Sequence, residues 1–264
     1  DLVKRSLLYH AIDPRLGGLL LMGHRGCAKS TLARAFQEII PAPEKAKTAP
    51  FIEVPLGTTE DRLLGSIDAS RLLENGEWSA QTGLIQQADS GVLYIDEVNL
   101  LPDHLVDSIL DSAASGKHRI ERDGLSKTVN ARYILIGSMN PEEGDLRPQL
   151  TDRFMHGIMV RDDFSVEQRR EIVRVRMDFD DDPQLFLVEH QKNLAQLVTK
   201  IFEVRQQLKN VEITENLRTE VAEKATTLNL EGMRAELGVL RTVRCAAAWR
   251  GETTVSQEDL AEAW

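Results

Sequence analysis

The sequence lacks several features that mark specialised classes of protein. It has two cysteines among 264 residues, Cys27 and Cys245, which excludes a framework of disulfide bridges and favours a reducing compartment. Its six histidines show no metal-ligand spacing. No apolar run approaches the roughly 18 residues of a membrane span, and no signal-peptide pattern is present. We therefore expect a cytoplasmic protein without a membrane span.

Positive charge is also scarce. Lysine and arginine total 32 against 42 aspartates and glutamates, for a net charge of -10. A nucleic-acid-binding protein usually carries a basic face, and no run of lysine or arginine suggests one here, so we expect no nucleic-acid partner. The hydrophobic content of 42% and charged content of 28% are typical of a globular protein, and the length allows one large domain or two ordinary ones.

The first 160 residues or so alternate between strand and helix patterns. Such alternation predicts an α/β fold, in which helices cover both faces of a parallel sheet. From Ser165 onward the pattern is helical only. We predict an α/β domain over residues 1–163 and an α-helical domain over 164–264. The predicted strands are 19–22, 51–54, 92–95, 133–137 and 158–160.

The most informative motif is Gly23-His24-Arg25-Gly26-Cys27-Ala28-Lys29-Ser30, followed by Thr31 and set between a strand and a helix. It matches a phosphate-binding loop except that Ala28 replaces the second glycine. Backbone N–H groups at the helix start would bind phosphates of ATP or GTP. Lys29 would reach the terminal phosphates and Ser30 would bind Mg²⁺. The alternative, a glycine-rich turn with a chance lysine, is disfavoured by the flanking strand and helix.

Acidic and amide side chains follow two other predicted strands. Asp96 and Glu97 end one strand, and Asn140 follows the next. Ligands collect at the carboxyl edge of parallel sheets, so we expect these residues beside the loop. Asp96 would hold Mg²⁺, Glu97 would orient or deprotonate the attacking water, and Asn140 would position that water or sense the γ-phosphate. Each residue alone would read as an ordinary polar strand end.

Three further features have two interpretations each. Arg153 fits an arginine finger that stabilises charge on a transferred phosphoryl group, but composition alone favours a surface ion pair with Asp152 or Glu142. Cys27 fits a thiol of lowered pKa, since Lys29 and a helix N-terminus are near, although a small residue tolerated in the loop is the simpler reading. Asp180-Asp181-Asp182-Pro183 reads as a solvated turn rather than a metal site.

Longer runs surround these motifs, at residues 59–68, 91–101, 103–107, 110–116, 140–150 and 152–154. Together they resemble the ATPase (I) subunit of magnesium chelatase, a branch of the AAA+ family, over most of the chain. Generic AAA+ ATPases share the strand-end residues but not these runs. The resemblance implies an AAA+ P-loop module with a five-stranded parallel sheet and a helical lid. It also implies a helix-2 insertion within 57–90 and a hairpin over 115–132 that turns at Asp123-Gly124.

The resemblance further assigns roles to individual residues. It makes Asn140 the sensor 1 residue and Arg153 a finger that acts in trans on a neighbouring subunit. Glu231-Gly232-Met233-Arg234 matches the lid motif that carries sensor 2, so Arg234 would touch the γ-phosphate of its own subunit. A finger in trans implies a homo-oligomeric ring, expected to be a hexamer.

The function implied by the resemblance is that of a motor. The ring would hydrolyse ATP with Mg²⁺ and drive Mg²⁺ insertion into protoporphyrin IX, together with a D-type subunit that has an integrin-like domain and a large porphyrin-binding catalytic subunit. The setting would be the cytoplasm or a plastid stroma. Alternatives are a MoxR-like AAA+ chaperone with an integrin-like partner in metalloprotein assembly, and a non-hydrolysing D-type scaffold. Ala28 is typical of both alternatives, whereas a full set of site residues argues against an inactive ATPase.

Overall fold

A five-stranded parallel sheet lies at the centre of the computed structural model, which describes residues 2–43, 46, 48–67, 80–122, 125–161, 163–230 and 232–264. The strand order is β2-β5-β8-β1-β9, and every pairing within this sheet is parallel. The strands are β1 (Gly18–Met22), β2 (Phe51–Val54), β3 (Gly65–Ile67), β4 (Ala80–Thr82), β5 (Val92–Ile95), β6 (Lys117–Arg122), β7 (Leu125–Asn130), β8 (Ile134–Met139) and β9 (Phe154–Met159).

Helices cover both faces of the sheet and make up the region that follows it. They are α1 (Leu2–Ile12), α2 (Lys29–Gln37), α3 (Glu60–Leu64), α4 (Leu84–Gln87), α5 (Asp103–Ser115), α6 (Pro148–Thr151), α7 (Val166–Asp181), α8 (Pro183–Gln207), α9 (Glu215–Thr227), α10 (Arg234–Arg250) and α11 (Gln257–Ala263). Separate apolar clusters fill the two faces of the sheet, and all four residues of β5 are buried. The predicted α/β fold with a helical region after it is confirmed. None of the helices in the described ranges is long and apolar enough to cross a bilayer.

Strand β9 begins four residues earlier than the predicted 158–160. Its first residue, Phe154, is buried. A Cβ built on Gly18 would lie 2.5 Å from the Phe154 ring, and a Cβ built on Gly137 would lie 3.2 Å from it. The aromatic ring therefore fills space that two glycines leave open on neighbouring strands. Met155, His156 and Gly157 interrupt the apolar run, which is why the pattern detects only the end of this strand.

Two small antiparallel pairs stand apart from the main sheet. β3 pairs with β4, and β6 pairs with β7. They lie within the regions assigned above to the insertion and to the hairpin. Residues 68–79 and the turn proposed at Asp123-Gly124 fall outside the described residues, as do Asp162 at the proposed seam and Glu231 of the lid motif.

Helix α10 joins the helical region to the sheet. A Cβ on Gly238 would lie 2.2 Å from Sδ of Met155, and Thr242 Oγ1 lies 2.9 Å from Nε2 of His156. The far end of α10 packs with α1 and α8 in a third apolar cluster. Ser256 caps α11 in a capping box with Asp259. The helical region is thus anchored at the start of β9.

Candidate active site

The loop between β1 and α2 brings its lysine to the start of a helix. Lys29 is the first residue of α2 and is buried, and its Nζ donates to the carbonyl oxygens of Gly23 at 2.6 Å and His24 at 3.0 Å. An ammonium group has three donors, so one remains free. The helix start also carries unpaired N–H groups and a partial positive charge. This end of β1 is therefore equipped to bind an anion.

The loop backbone is folded tightly at three residues. Gly26 has φ of +87° with nothing within 4 Å of a Cβ built on it, whereas a Cβ on Gly23 would meet the carbonyl oxygen of Val160 at 2.6 Å. Ala28 has φ 57° and ψ 25°, in the left-handed region. That region costs an L-residue roughly 1–2 kcal/mol. The glycine of the usual motif would avoid this cost, and here the alanine bears it without changing the helix start.

Asp96 follows β5 and is fixed by two hydroxyl groups. Its Oδ1 accepts hydrogen bonds from Tyr94 Oη at 2.7 Å and from Ser138 Oγ at 2.6 Å. Burial, with a contribution from Asp96, raises the pKa of Tyr94, so this phenol stays protonated and donates. Within the described ranges, Oδ2 of Asp96 has no hydrogen bond. One carboxylate oxygen is thus oriented, and the other is available to a cation or its water.

Glu97 and Asn140 meet at the ends of neighbouring strands β5 and β8. Glu97 Oε2 accepts from the backbone N of Asn140 at 2.9 Å, and the backbone N of Glu97 donates to Ser138 Oγ at 3.1 Å. Asn140 is buried, and its Nδ2 lies 3.4 Å from Oε1 of Glu143. Three strand ends therefore converge on one region, as predicted from the parallel sheet.

Two acidic residues after Asn140 tie this region to the phosphate loop. Arg25 Nη2 lies 2.5 Å from Oε1 of Glu143, and His24 Nδ1 lies 3.4 Å from Oε1 of Glu142. Glu143 thus contacts both Asn140 and Arg25. A continuous set of polar contacts runs from Glu97 to the loop.

Arg153 lies away from these residues. It directly precedes β9, at the amino edge of the sheet, while Val160 at the other end of β9 lies beside Gly23. Its Nη1 pairs with Oδ1 of Asp107 at 3.0 Å and Oδ1 of Asp111 at 2.8 Å, both on α5. The ion pair weighed above exists, but with these partners rather than with Asp152 or Glu142.

Arg234 is the first residue of α10. It is exposed and lies one helical turn before Gly238, which contacts Met155 at the start of β9. From Met155 to Val160, beside the loop, β9 spans roughly 16 Å. No contact joins Arg234 to the loop within the part of the chain that is described. The structure therefore does not bring Arg234 to the nucleotide side of its own subunit.

The residues at the carboxyl edge fit a nucleotide phosphate chain with its Mg²⁺. The chain offers backbone N–H groups over 26–31, a free donor on Lys29, and the Ser30 hydroxyl, which has no hydrogen bond to another described residue. The free oxygen of Asp96 faces the same strand-end region. A hydroxyl and a carboxylate are the oxygen ligands that Mg²⁺ takes beside nucleotide phosphates.

Comparison with known proteins identifies the family of this chain. Residues 18–154 match the family model of the AAA domain (dynein-related subfamily), and residues 218–264 match the AAA lid domain. The chain is 40% identical to the magnesium-chelatase 38 kDa subunit of Chlorobaculum tepidum, covering 98% of this chain and 75% of that protein. The chain belongs to the magnesium-chelatase I-subunit family of AAA ATPases.

Other relatives of this I-subunit family member differ in length. A chain of the magnesium chelatase BchI–BchD complex, from single-particle cryo-EM, matches with a TM-score of 0.60 and 39% identity, covering 99% of this chain and 89% of that one. An uncharacterized protein of Mycobacterium tuberculosis is 41% identical over 98% of this chain, but the chain spans only 41% of that protein's length.

The sequence motifs overlook three residues of this family member's site. Ser138 bridges Asp96 and Glu97, Tyr94 orients Asp96, and Glu143 links Asn140 to Arg25. Ser138 and Tyr94 lie inside apolar strands, where their hydroxyl groups are the only signal. Glu143 lies in a run that the resemblance includes, but no motif rule gives it a role.

Proposed function

We propose that this chain is the ATP-hydrolysing motor subunit of a magnesium chelatase. The observation that carries the proposal is the convergence of Lys29, Asp96, Glu97 and Asn140 at one edge of the sheet, in a chain of this family. Coupled ring motion would drive a separate catalytic subunit to insert Mg²⁺ into protoporphyrin IX.

Each site residue has a chemical task in this proposal. Backbone N–H groups over Gly26 to Thr31 and the Lys29 ammonium bind phosphate oxygens, while Ser30 and Asp96 hold Mg²⁺, which neutralises charge on the phosphates when bound. Glu97 orients the attacking water and accepts its proton. Its Oε1 has no hydrogen bond to a described residue and can accept that water while Oε2 keeps the Asn140 backbone N–H.

The proposal includes a ring in which Arg153 acts on the neighbouring subunit. Arg153 lies at the amino edge of its own sheet, so its own nucleotide is out of reach, and this supports a role in trans. Asp107 and Asp111 would hold the Arg153 guanidinium until the phosphates of a neighbouring subunit's nucleotide compete for it. For Arg234, contact with its own γ-phosphate stays a prediction, because no described contact joins Arg234 to the loop.

Partners and setting follow from the relatives. The cryo-EM relative is a complex between BchI and BchD, so we propose a D-type partner with an integrin-like domain, and a large porphyrin-binding subunit as the catalyst. The setting would be the cytoplasm or a plastid stroma. Neither the MoxR-like chaperone nor the D-type scaffold is favoured, because the relatives include magnesium-chelatase 38 kDa and ChlI subunits and because Glu97, Asn140 and Arg153 are all present.

The decisive variant is Glu97→Gln. It keeps the size of the side chain but removes the base, so we expect ATP turnover to fall by at least roughly 10²-fold while ATP affinity stays within a few-fold of that of the wild type. Turnover is measured by phosphate release and affinity by a fluorescent ATP analogue. Glu223→Gln, on the exposed surface of α9, is the matched control. Undiminished hydrolysis by Glu97→Gln would contradict the assignment, and failure of active protein to support Mg²⁺ insertion with D-type and porphyrin-binding subunits would contradict the chelatase role.

A further inference from the structure

Helices α7 and α8 form an arm that covers little of the chain. Within the described residues, α7 has no buried residue, and α8 buries only Ile201 and Val204 near its end. Apolar side chains are exposed along both helices by half or more, which is unusual for a monomer surface. They are Ile172, Val173, Met177, Leu185, Leu187 and Val188. An arm with this surface favours contact with another protein chain.

The tip of the arm is acidic and held in one shape. Asp178 and Asp180 pair with arginines one turn earlier on α7, Asp182 caps the start of α8, and Asp181 is exposed without a described partner. Phe179 and Phe186 meet edge to face across the turn, with ring centroids 5.6 Å apart. Surface pairs within one helix contribute little stability, so these carboxylates can take new partners. The tip therefore presents a rigid anionic surface.

A cleft of about 810 Å³ at the amino edge of the sheet has the opposite charge. It lies between residues 41–43, the C-terminal end of α5 and the last turns of α8, and Asp13 is the one carboxylate among its lining residues in the described part of the chain. Four guanidinium groups line it, those of Arg15, Arg132, Arg205 and Arg241. In a chain of net charge -10, this is a local excess of positive charge.

Most of these arginines retain free donors. Arg15 pairs with Asp13, but Arg205 Nε donates to the backbone oxygen of Ala11 at 2.6 Å, and Arg241 donates to the backbone oxygen of Arg15. Burial lowers the pKa of Arg205 to about 10, so it remains charged at neutral pH. The Arg132 side chain has no hydrogen bond or ion pair to any described residue. The cleft can therefore accept several carboxylates.

The lining favours a peptide over a compact phosphate. Phosphate sites usually offer free backbone N–H groups, but those of Gly91, Gly116 and Ile134 already bond to carbonyl oxygens, and Pro41 and Pro43 have none. Phe202, 51% exposed, adds an apolar wall. Guanidinium groups beside an apolar wall match carboxylates interleaved with apolar side chains, as at the arm tip.

The tip cannot reach the cleft of its own chain. Arg205 lies on α8 itself, 23 residues beyond Asp182, and a continuous helix holds them roughly 34 Å apart. We propose that the arm tip of one copy docks in the arginine cleft of a second copy. Such a head-to-tail contact joins unlike surfaces, so it can repeat around a closed ring. This inference rests on the ring proposed above and adds a specific contact between its subunits.

Charge reversal tests the contact. One variant carries Asp180→Lys/Asp181→Lys and another carries Arg132→Glu/Arg241→Glu. Each alone should assemble at least roughly tenfold more weakly, because like charges then face each other. An equimolar mixture should recover, since each reversed tip meets a reversed cleft and each natural tip meets a natural cleft. Sedimentation velocity with ATP and Mg²⁺ measures assembly, and Glu223→Lys and Lys209→Glu are matched surface controls.

Crosslinking tests the contact without relying on assembly strength. Oxidation of Asp181→Cys mixed with Arg132→Cys should give a disulfide-linked pair. Either variant alone should not, because its other cysteines are only Cys27 and the buried Cys245.

The outcomes separate the contact from the ring. The contact is overturned, but the proposed ring is not, if both charge-reversed variants assemble normally or if their mixture fails to assemble although both variants bind ATP. Normal assembly with lost stimulation by a D-type subunit assigns the arm to that subunit instead. A wild type that never assembles overturns both proposals.

Discussion

At the scale of single residues, Ala28 shows how the phosphate loop departs from its usual form. Its left-handed backbone carries a steric cost that glycine does not have. The Cβ nevertheless leaves the backbone N–H groups and Lys29 in position. The alanine therefore affects the stability of the loop more than its chemistry.

We expect Ala28→Gly to raise the free energy of unfolding by up to about 1 kcal/mol, because relief of the left-handed strain exceeds the added entropy of the unfolded chain. ATP affinity should change by less than a few-fold. Urea unfolding and nucleotide titration measure the two quantities. The matched control is Ala33→Gly, buried inside α2, which should lose about 1 kcal/mol. A destabilised Ala28→Gly protein would refute the strain argument.

Residue types and spacing predict the functional groups of the site better than their connections. Lys29, Asp96, Glu97 and Asn140 can be read from motifs. Lys29 ends the loop that follows β1, and the other three follow β5 or β8, whose carboxyl ends face the same edge of the sheet. Ser138 and Glu143 cannot be read in this way, since the role of each depends on which strands are neighbours in space. Arg234 shows the converse, because a matching motif does not fix the orientation of the lid.

At the scale of elements, the junction of α1, β9 and α10 contains two histidines, and their burial favours the neutral form of each ring. His10 and His156 stack edge to face with centroids 4.9 Å apart, and His156 also contacts Ser6 and Thr242. Burial lowers the pKa of His10 to about 4, against a smaller opposite effect of Asp13. Burial and the neighbouring His10 lower the pKa of His156 to about 3.

These shifts predict that acid destabilises the junction. Unfolded histidines take up protons near pH 6.5 and the folded ones do not, so stability falls as the pH drops from about 6.5 towards 4. His10 alone accounts for about 3 kcal/mol of this loss. Urea unfolding at pH 7.5, 6.5, 5.5 and 4.5 should show a shallower pH dependence for His156→Gln than for the wild type. His190→Gln, at an exposed position on α8, should follow the wild type. Equal slopes for His156→Gln and the wild type would exclude this origin.

Periodicity detects elements that bury a face and misses those that do not. The strands β1, β2 and β5 and the helices α9 and α10 match their apolar patterns, because the sheet or a neighbouring helix covers them. Helix α7 lies in the region predicted to be helical, but its apolar residues are exposed on an arm rather than buried on one face. The patterns also predict too short a strand for β9, because the first half of β9 is held by Phe154, whose ring fills space beside two glycines.

At the scale of the whole molecule, Arg153 connects one subunit to the next in the proposed ring. Arg153→Ala and Glu97→Gln should each lose ATP turnover, the former by roughly 10³-fold or more. Mixed assemblies should regain turnover well above either parent, because an intact Glu97 in one subunit meets an intact Arg153 from its neighbour. Phosphate release across mixing ratios measures this. Activity that only averages the two parents would contradict a role in trans.

Helix α5 gives such a ring a direction. It begins six residues after Glu97 and carries Asp107 and Asp111, which hold Arg153. A shift of Glu97 on hydrolysis would therefore be passed along α5 to the arginine that serves the next site. In the proposed ring such a signal would enter each subunit at its nucleotide and leave it on the Arg153 side, so neighbouring sites would be coupled in one sense of rotation only.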